Sequence, residues 1–214
     1  MQTTHIYLIR HGESEGNRVR SFLGHSDLDL TEKGHAQAER TAEYLDSVSV
    51  DKIYSSDLKR AYNTAYHTAK KKGMEIITSE KLREIYAGEW ENRAFDELLV
   101  EYKEEYSLFR ENIGLARCTG GESVAELQER FVNELKRIAA ENEGKTVFVF
   151  THATPIRATK AAFDGLALEK MQSVPWASNA SVTHVECSDG EFKVVAYGIN
   201  DFMGEIATAL PKTV

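Results

Sequence analysis

Cysteine, proline and long apolar runs are all scarce in this chain of 214 residues. Its two cysteines, Cys118 and Cys187, lie far apart and outside a CxxC spacing, which excludes a disulfide framework and a cysteine-based zinc site. With three prolines and no low-complexity tract there is no obvious linker, so we expect one domain over residues 1–214. No apolar stretch approaches the roughly 20 residues that span a bilayer, and the amino terminus lacks a signal-peptide pattern. These absences predict a cytoplasmic protein.

Net charge narrows the classes of partner. The formal net charge is -8 and the sequence pI is about 5.5. An acidic surface repels both nucleic acid and anionic membranes, so we expect neither as a partner. Any site for an anion must therefore be a local concentration of positive charge.

Hydrophobic periodicity predicts strands that alternate with helices. The predicted strands span residues 5–10, 51–56, 146–152, 180–187 and 191–198, and the predicted helices lie within 30–48, 56–73, 95–112, 122–145 and a segment that opens at 154. Such alternation implies right-handed crossovers and an α/β three-layer sandwich, with a mainly parallel sheet and helices on both faces. The helical stretch at about 90–120 is rich in Glu and Tyr without a clean apolar stripe, which predicts a small helical cap inserted into the domain.

Capping residues mark the ends of these helices. Thr31 and Ser56 are candidate N-caps, and Gly73 is a candidate helix stop. Ser123 and Glu126 form a capping box before an apolar face, which makes the helix within residues 122–145 the best supported. Thr154 followed by Pro155 predicts an N-cap and a first helical residue.

Basic side chains follow three of the predicted strands. Arg10 and His11 end the first, Arg60 lies on the helix after the second, and His152 ends the third. Ligands of a parallel sheet bind outside the carboxyl ends of its strands, so these groups are expected to converge. Because Arg binds phosphate oxygens with two parallel hydrogen bonds, phosphate is the expected guest. The positive charge of Arg60 lies in the first turn of its helix, where it interacts unfavourably with the helix dipole unless a bound anion or Asp57 compensates that charge.

Less specific interpretations remain open at this stage. His11 and His152 are each compatible with a buried structural histidine when taken alone. They could also bind a metal ion with Glu84 as third ligand, although two nearby arginines would repel a dication. The other histidines receive no functional role: they are His5, His25, His35, His67 and His184.

Five motifs occur in an order typical of one family. They are "LIRHGESEGN", "GHSDLDLTEKGHAQAER", "IYSSDLKRAYNTA", "LREIYAGEWE" and "VFVFTHATPIRA". Together they resemble the histidine phosphatase superfamily, in its phosphoglycerate mutase-like branch, from about residue 5 to beyond residue 180.

This resemblance implies a mechanism and a set of site residues. His11 would take the phosphoryl group as phosphohistidine, Gly12 would let the backbone turn beneath it, and Glu84 would protonate the leaving oxygen and then activate water. The remaining implied site residues are His152 as a second catalytic histidine and, as phosphate ligands, Arg10, Asn17, Gly24, Arg60 and Ala153. Fixed cations stabilise phosphoryl transfer, so no metal and no cofactor is expected.

Departures from the mutase pattern favour hydrolysis of the acid-phosphatase type. Glu84 is followed by Ile85 and Tyr86 where mutases carry an Arg-His-Tyr-Gly run, and Leu23 stands where mutases place a small hydroxyl residue. The expected reaction is hydrolysis of a small phosphorylated metabolite with release of inorganic phosphate. A cofactor-dependent phosphoglycerate mutase and a non-catalytic phosphate-binding or protein-interaction module remain as alternatives.

Two properties stay open at the level of sequence. The substrate could be a sugar phosphate, phosphoglycerate, α-ribazole phosphate, a phosphoamino acid or a phosphoprotein, and the oligomeric state is undetermined. Six large side chains either line the mouth of the site or pack the cap against the body: Phe22, Leu23, Tyr86, Trp90, Tyr106 and Phe109.

Overall fold

A six-stranded mixed sheet forms the centre of the fold in the computed structural model, which describes residues 2–209. Its strands are β1 (Thr4–Arg10), β3 (Lys52–Ser55), β4 (Ile76–Thr78), β6 (Thr146–Thr151), β7 (Val182–Ser188) and β8 (Glu191–Ile199), and a separate two-stranded ribbon is made by β2 (Ser21–Phe22) and β5 (Arg93–Ala94). The order in the sheet is β4-β3-β6-β1-β7-β8. The first four strands in that order are parallel, whereas β7 and β8 are antiparallel. The α/β class predicted from the sequence is confirmed, with an antiparallel edge.

Helices cover both faces of this sheet. They are α1 (Glu15–Val19), α2 (Glu32–Tyr44), α3 (Lys59–Lys72), α4 (Phe95–Glu101), α5 (Lys103–Glu111), α6 (Val124–Glu141) and α7 (Ala153–Phe163). Short 3-10 helices occupy Leu45–Ser47, Glu80–Leu82, Gly88–Trp90, Ile113–Leu115, Leu168–Ser173 and Asp201–Ile206. Within residues 2–209, no helix combines the length and the apolar character needed to cross a lipid bilayer.

The pleat of β1 explains why two cores form. Ile6 and Leu8 point to the face covered by α6 and α7, where they pack in one buried cluster. Tyr7 and Ile9 point to the opposite face, which α2 and α3 cover. A strand buried on both faces must be apolar at successive positions, as the sequence between residues 5 and 10 is. The layered arrangement brings the carboxyl ends of β1, β3 and β6 to one edge.

A third apolar cluster joins α4 and α5 to the rest of the chain. Phe22 on the β2–β5 ribbon packs edge-on against Trp90 and Phe109, with ring centroids 5.4 and 5.2 Å apart. The predicted single helix over 95–112 is instead two helices, because the backbone of Tyr102 leaves helical geometry (φ -123°, ψ 43°). Trp90 and Tyr106 are buried among these rings, so this segment has an apolar core of its own.

Most predicted helix ends are confirmed, and two are wrong. Thr31, Gly73 and the Ser123–Glu126 capping box lie where the sequence places them. The N-cap of α3 is Leu58 rather than Ser56, and the Asp27 carboxylate accepts a hydrogen bond from the Lys59 amide at 2.7 Å.

The start of α7 is the second error. Its N-cap is His152, so Thr154 and Pro155 already lie inside the helix. Proline is tolerated there because amides of the first turn have no partner within the helix.

Candidate active site

A cavity of about 580 Å³ opens at the carboxyl edge of the parallel strands. Among the predicted site residues, the structure brings seven to its wall: Arg10, His11, Asn17, Gly24, Arg60, Glu84 and Ala153. The eighth, His152, is fully buried beside it, with its ring centroid 5.2 Å from that of His11. The convergence expected from the strand ends is therefore present in the geometry.

The tautomer of His11 follows from its hydrogen bond. Its Nδ1 lies 2.7 Å from the Gly12 carbonyl oxygen. Because a carbonyl only accepts, Nδ1 carries the proton and Nε2 keeps its lone pair. Burial, with the charges of Arg60 and Arg10, holds the pKa of His11 well below its usual range. The ring is thus a neutral imidazole with a free nucleophilic nitrogen.

Close packing fixes the loop that carries His11. Gly12 does not adopt a positive φ. A Cβ atom on Gly12 would lie 2.4 Å from the carbonyl oxygen of Gly34, in the first turn of α2. The Gly12 amide also donates to Thr64 Oγ1 at 3.0 Å. Glycine is required here because two backbones approach each other closely.

The side chain of His152 is held by Ser56. Its Nε2 lies 2.9 Å from Ser56 Oγ, and Ser56 Oγ also accepts the Leu58 amide at 3.3 Å. The buried Nδ1 has no hydrogen-bond partner among the described residues. Burial lowers the pKa of His152 well below its usual range, and nearby Arg60 acts in the same direction. If Ser56 donates to Nε2, the proton of the neutral ring resides on Nδ1 and is available to an anion.

The two arginines are anchored by backbone carbonyls. Arg60 Nη1 and Nη2 donate to the carbonyl oxygens of Ser26 and Gly24, at 2.8 and 2.7 Å. Arg10 Nη1 donates to the Ala177 carbonyl oxygen at 2.6 Å, while the buried Arg10 Nε has no partner among residues 2–209. Burial lowers the pKa of each arginine to about 10, opposed by the Glu84 carboxylate, so both remain charged at neutral pH.

Of the two groups that the sequence leaves open to compensate Arg60, a bound anion or Asp57, Asp57 does not contact it. Asp57 forms a two-point ion pair with Arg83, whose Nε lies 2.7 Å from Asp57 Oδ1. That pair holds the pKa of Asp57 below its usual range. Arg60 therefore keeps a positive charge that no carboxylate contacts directly within the described chain.

Glu84 lies at the positive end of helix α7. Its Oε2 accepts the Thr154 amide at 3.3 Å, and its Oε1 accepts the Ile85 amide at 2.8 Å. Arg130 and His25 hold the Glu84 carbonyl oxygen at 3.1 and 2.9 Å. Both contacts to the carboxylate come from backbone, so the carboxylate is positioned on the cavity wall without a side-chain ion pair.

Three residues that support the site were missed from sequence. The side-chain Nδ2 of Asn179 donates to the His11 carbonyl oxygen and to Asn17 Oδ1, both at 3.1 Å. Ala177 supplies the carbonyl oxygen that holds Arg10. Both precede β7, whose amino end reaches the catalytic edge because that strand is antiparallel. Ser56 is the third: the sequence marks it as a candidate N-cap at the end of a strand, but not as a partner of His152.

The mouth of the cavity combines aromatic and charged groups. Of the six candidates, Phe22, Leu23, Tyr106 and Phe109 line it, while Trp90 is buried in the third cluster and Tyr86 lies outside the cavity on the surface. Arg20, Asp96 and Arg110 also line the mouth. Their charges act on Tyr106, whose pKa burial raises to about 12.

Comparison with known proteins agrees with this geometry. Residues 6–200 match the family model described as histidine phosphatase superfamily (branch 1). The chain belongs to this superfamily. Among its members, Phosphoserine phosphatase 1 of Hydrogenobacter thermophilus is 32% identical over 209 residues, which is 98% of this chain and 99% of that protein.

Two further proteins are similar to this chain. Phosphoglycerate mutase-like protein 4 of Arabidopsis thaliana is 37% identical over 155 residues, which is 71% of this chain and 67% of that protein. The solved structure of Bacillus stearothermophilus YhfR matches with a TM-score of 0.90 at 32% identity, covering 94% of this chain and 99% of that one. The family match and the similarity to Phosphoserine phosphatase 1 support phosphatase-type activity on small phosphorylated compounds.

Proposed function

We propose that the protein hydrolyses phosphomonoesters of small metabolites through a phosphohistidine on His11, without a metal ion. The observation that supports this proposal most is that His11, Arg10 and Arg60 line one cavity and that the buried His152 lies directly beside His11. Both histidines are neutral, both arginines are charged, and the buried His152 Nδ1 and Arg10 Nε have no hydrogen-bond partner among the described residues. Unsatisfied buried donors are costly unless a ligand accepts from them. A phosphoryl group supplies several such acceptors.

In the first step His11 Nε2 attacks phosphorus. The N–P bond forms as the ester P–O bond breaks, and Glu84, which enters this step as the carboxylic acid, gives its proton to the leaving oxygen, which departs as an alcohol. The Nδ1–H bond to the Gly12 carbonyl keeps the ring oriented for this attack. Because the ring is neutral before attack, no proton must first be removed from it.

Charge on the transferring group is stabilised by the same fixed donors. Arg10, Arg60 and His152 bind its oxygens, and the first amides of α7, starting at Ala153, add the positive end of a helix dipole. Asn17 contributes its Nδ2, since its Oδ1 is occupied by the Ser14 amide and Asn179. Gly24, which also lines the cavity, offers its amide.

In the second step water replaces His11 on phosphorus. Glu84, now a carboxylate, takes a proton from the attacking water, the N–P bond breaks, and inorganic phosphate leaves. Phosphoryl transfer depends mainly on positioning and charge stabilisation, which the cavity's own cations supply. Hydrolysis is therefore expected to persist in EDTA, with an acid-phosphatase type of chemistry.

The mouth favours a substrate with a second anionic group. We propose that helices α4 and α5 form the cap over the site and present Asp96 and Arg110 toward Arg20. Neither arginine has an ion-pair partner within the described chain. A carboxylate matches the arginines and an ammonium matches Asp96. Phosphoserine carries both groups. It also appears in the name of Phosphoserine phosphatase 1, which matches 98% of this chain.

Phosphoglycerate mutase activity is the second candidate. A mutase-like relative is 37% identical over the matched residues, and phosphoglycerate shares the phosphate and the carboxylate of phosphoserine. A mutase must protect its phosphohistidine from water. Catalytic 2,3-bisphosphoglycerate with 3-phosphoglycerate distinguishes the two, because a mutase forms 2-phosphoglycerate whereas a phosphatase releases phosphate.

The primary test is phosphate release in EDTA from a substrate panel, comparing wild type with His11→Ala. We expect release by the wild type and loss of nearly all turnover in the variant, with an unchanged circular dichroism spectrum. Equal turnover by His11→Ala would reject the mechanism, and loss of wild-type activity in EDTA would reject metal independence.

The substrate class is tested with matched substrates and variants. Arg110→Gln should raise KM for phosphoserine and leave KM for phosphoethanolamine, which lacks the carboxylate, unchanged. Arg18→Gln is the control, because Arg18 is exposed and pairs with Glu15 away from the cavity. If Arg110→Gln changes both substrates equally, the carboxylate assignment is wrong.

A further inference from the structure

A cluster of two histidines and one glutamate lies away from the active-site cavity. His5 on β1 and His184 with Glu186 on β7 place one ligand atom each within 4.8 Å of one another. His5 Nδ1 is 3.1 Å from His184 Nε2 and 3.6 Å from Glu186 Oε1. No other group of three His, Cys, Asp or Glu side chains in residues 2–209 meets this spacing.

Antiparallel pairing of β1 and β7 creates the cluster. His5 lies opposite Glu186, and Tyr7 lies opposite His184, so all four side chains share one face of the sheet. The Tyr7 ring stacks on His184 with centroids 4.4 Å apart and planes 6° from parallel. Ligands carried by two central strands and held by a stacked ring are pre-positioned.

We propose that His5, His184 and Glu186 form a binding site for one divalent transition ion of the zinc class. Imidazole nitrogen and carboxylate oxygen are ligands that zinc accepts in proteins. With Zn–N bonds of about 2.0–2.1 Å, two nitrogens of a tetrahedral site lie roughly 3.3 Å apart. The observed 3.1 Å is close to this value. All three residues are only partly buried, which leaves room for water as the fourth ligand.

The electrostatic surroundings permit a cation. Lys193 on β8 pairs with Glu186 in the strand register, but no ion pair joins their side chains within the described chain. The carboxylate therefore remains free to act as a ligand.

A second histidine pair provides a contrast within the same molecule. His35 Nδ1 and His67 Nε2 are also 3.1 Å apart, between α2 and α3. The adjacent Glu39 carboxylate instead faces His67 Nδ1, the other ring nitrogen, at 3.6 Å. Three ligand atoms cannot surround one ion there. This pair serves as a matched control for the proposed site.

The proposed ion would act on stability rather than on catalysis. His11 comes six positions after His5 along an extended chain, which places the two residues about 20 Å apart. An ion bound there links the central strand β1 to β7. Since it binds the folded state only, it raises the thermal midpoint as its concentration rises.

Titration of untagged, EDTA-treated and desalted protein with Zn²⁺ and Co²⁺ tests the proposal. Calorimetry should show one ion per chain for the wild type, and Co²⁺ should give the visible absorption of a four-coordinate site. His184→Ala should weaken binding at least about tenfold and abolish the zinc-induced rise in the thermal midpoint. Glu186→Gln, a milder change at a partly exposed position, should weaken binding in the same direction.

Two controls separate this site from others. His35→Ala should bind as the wild type does, and so should His11→Ala, because neither residue contributes a ligand. Phosphate release by His184→Ala in EDTA should equal that of the wild type. Binding unchanged in both His184→Ala and Glu186→Gln, or lost in His11→Ala instead, would overturn the proposal.

Discussion

Replacing Gly12 with alanine tests how tightly the loop must hold His11. The added Cβ would lie 2.4 Å from the Gly34 carbonyl oxygen, whereas ordinary contact begins at 3.4 Å. The loop or the first turn of α2 must therefore move by about 1 Å. Both are backbone, so no side-chain rotation relieves the contact.

The displacement predicts two separate losses. Overpacking a close contact costs about 1–3 kcal/mol of folding free energy. A displacement of about 1 Å at a catalytic group costs roughly 100-fold in rate, because attack by His11 Nε2 requires near-contact geometry. We expect kcat for phosphoserine or an aryl phosphate to fall by that order while the protein remains folded.

Gly73→Ala separates activity from stability. A Cβ at Gly73 meets nothing within 4 Å, but the residue has a φ of 66°, so alanine there costs about 1–2 kcal/mol of backbone strain. The expected pair of results is a similar shift in urea midpoint for both variants, with a loss of kcat only in Gly12→Ala. Wild-type kcat in a folded Gly12→Ala protein would refute the reasoning.

Three further predictions follow from the site. Glu84→Gln should slow phosphoserine hydrolysis far more than hydrolysis of p-nitrophenyl phosphate, whose leaving group needs no proton; equal slowing in steady-state assays contradicts a proton donor. Ser56→Ala should lower kcat about 10–100-fold by freeing the His152 ring, which is the loss typical when a histidine that holds a metal loses its hydrogen-bond partner. Ser56→Thr should restore much of the kcat. Folding depresses the pKa of His11 and His152, so below pH 6.5 the unfolded chain binds more protons than the folded chain. The free energy of unfolding therefore falls as the pH is lowered, by at most about 1.4 kcal/mol per pH unit for each histidine. Urea titrations between pH 6.5 and 5.5 should show this slope, reduced in His11→Gln; identical slopes contradict it.

The strand-end signals were predictable because they depend on local pattern. An apolar run that ends in Arg10 and His11 implies a buried strand whose last residues reach the sheet edge, and the structure places them there. The same rule located His152. The placement of helices on both faces of the sheet could be predicted from the alternation of strands and helices, because the handedness of crossover connections restricts the topology.

Long-range contacts account for what the sequence did not predict. Ser56 has the chemistry of an N-cap, but its hydroxyl contacts His152, which is 96 residues away, and Asp27 binds the helix amide instead. Asn179 escaped notice because the rule for parallel strands points to carboxyl ends, whereas β7 enters the site from its amino end. The ribbon strands β2 and β5 have two residues each, too few to show a period.

The contact that requires glycine at position 12 could not be predicted from the sequence either. A glycine after a strand suggests a place where the backbone turns, whereas the contact that requires glycine here comes from Gly34 on a different element. Only the packed structure shows that these two glycines face each other.

Trapping the phosphoenzyme tests the central claim most directly. Wild-type protein mixed with substrate should be quenched in alkali, which preserves phosphohistidine, digested, and examined by mass spectrometry. The account predicts one phosphoryl group on the peptide that contains His11, formed and lost at rates compatible with turnover, and its absence in His11→Ala. Rapid turnover without any phosphoryl group on His11, or with the group on another residue, would contradict it.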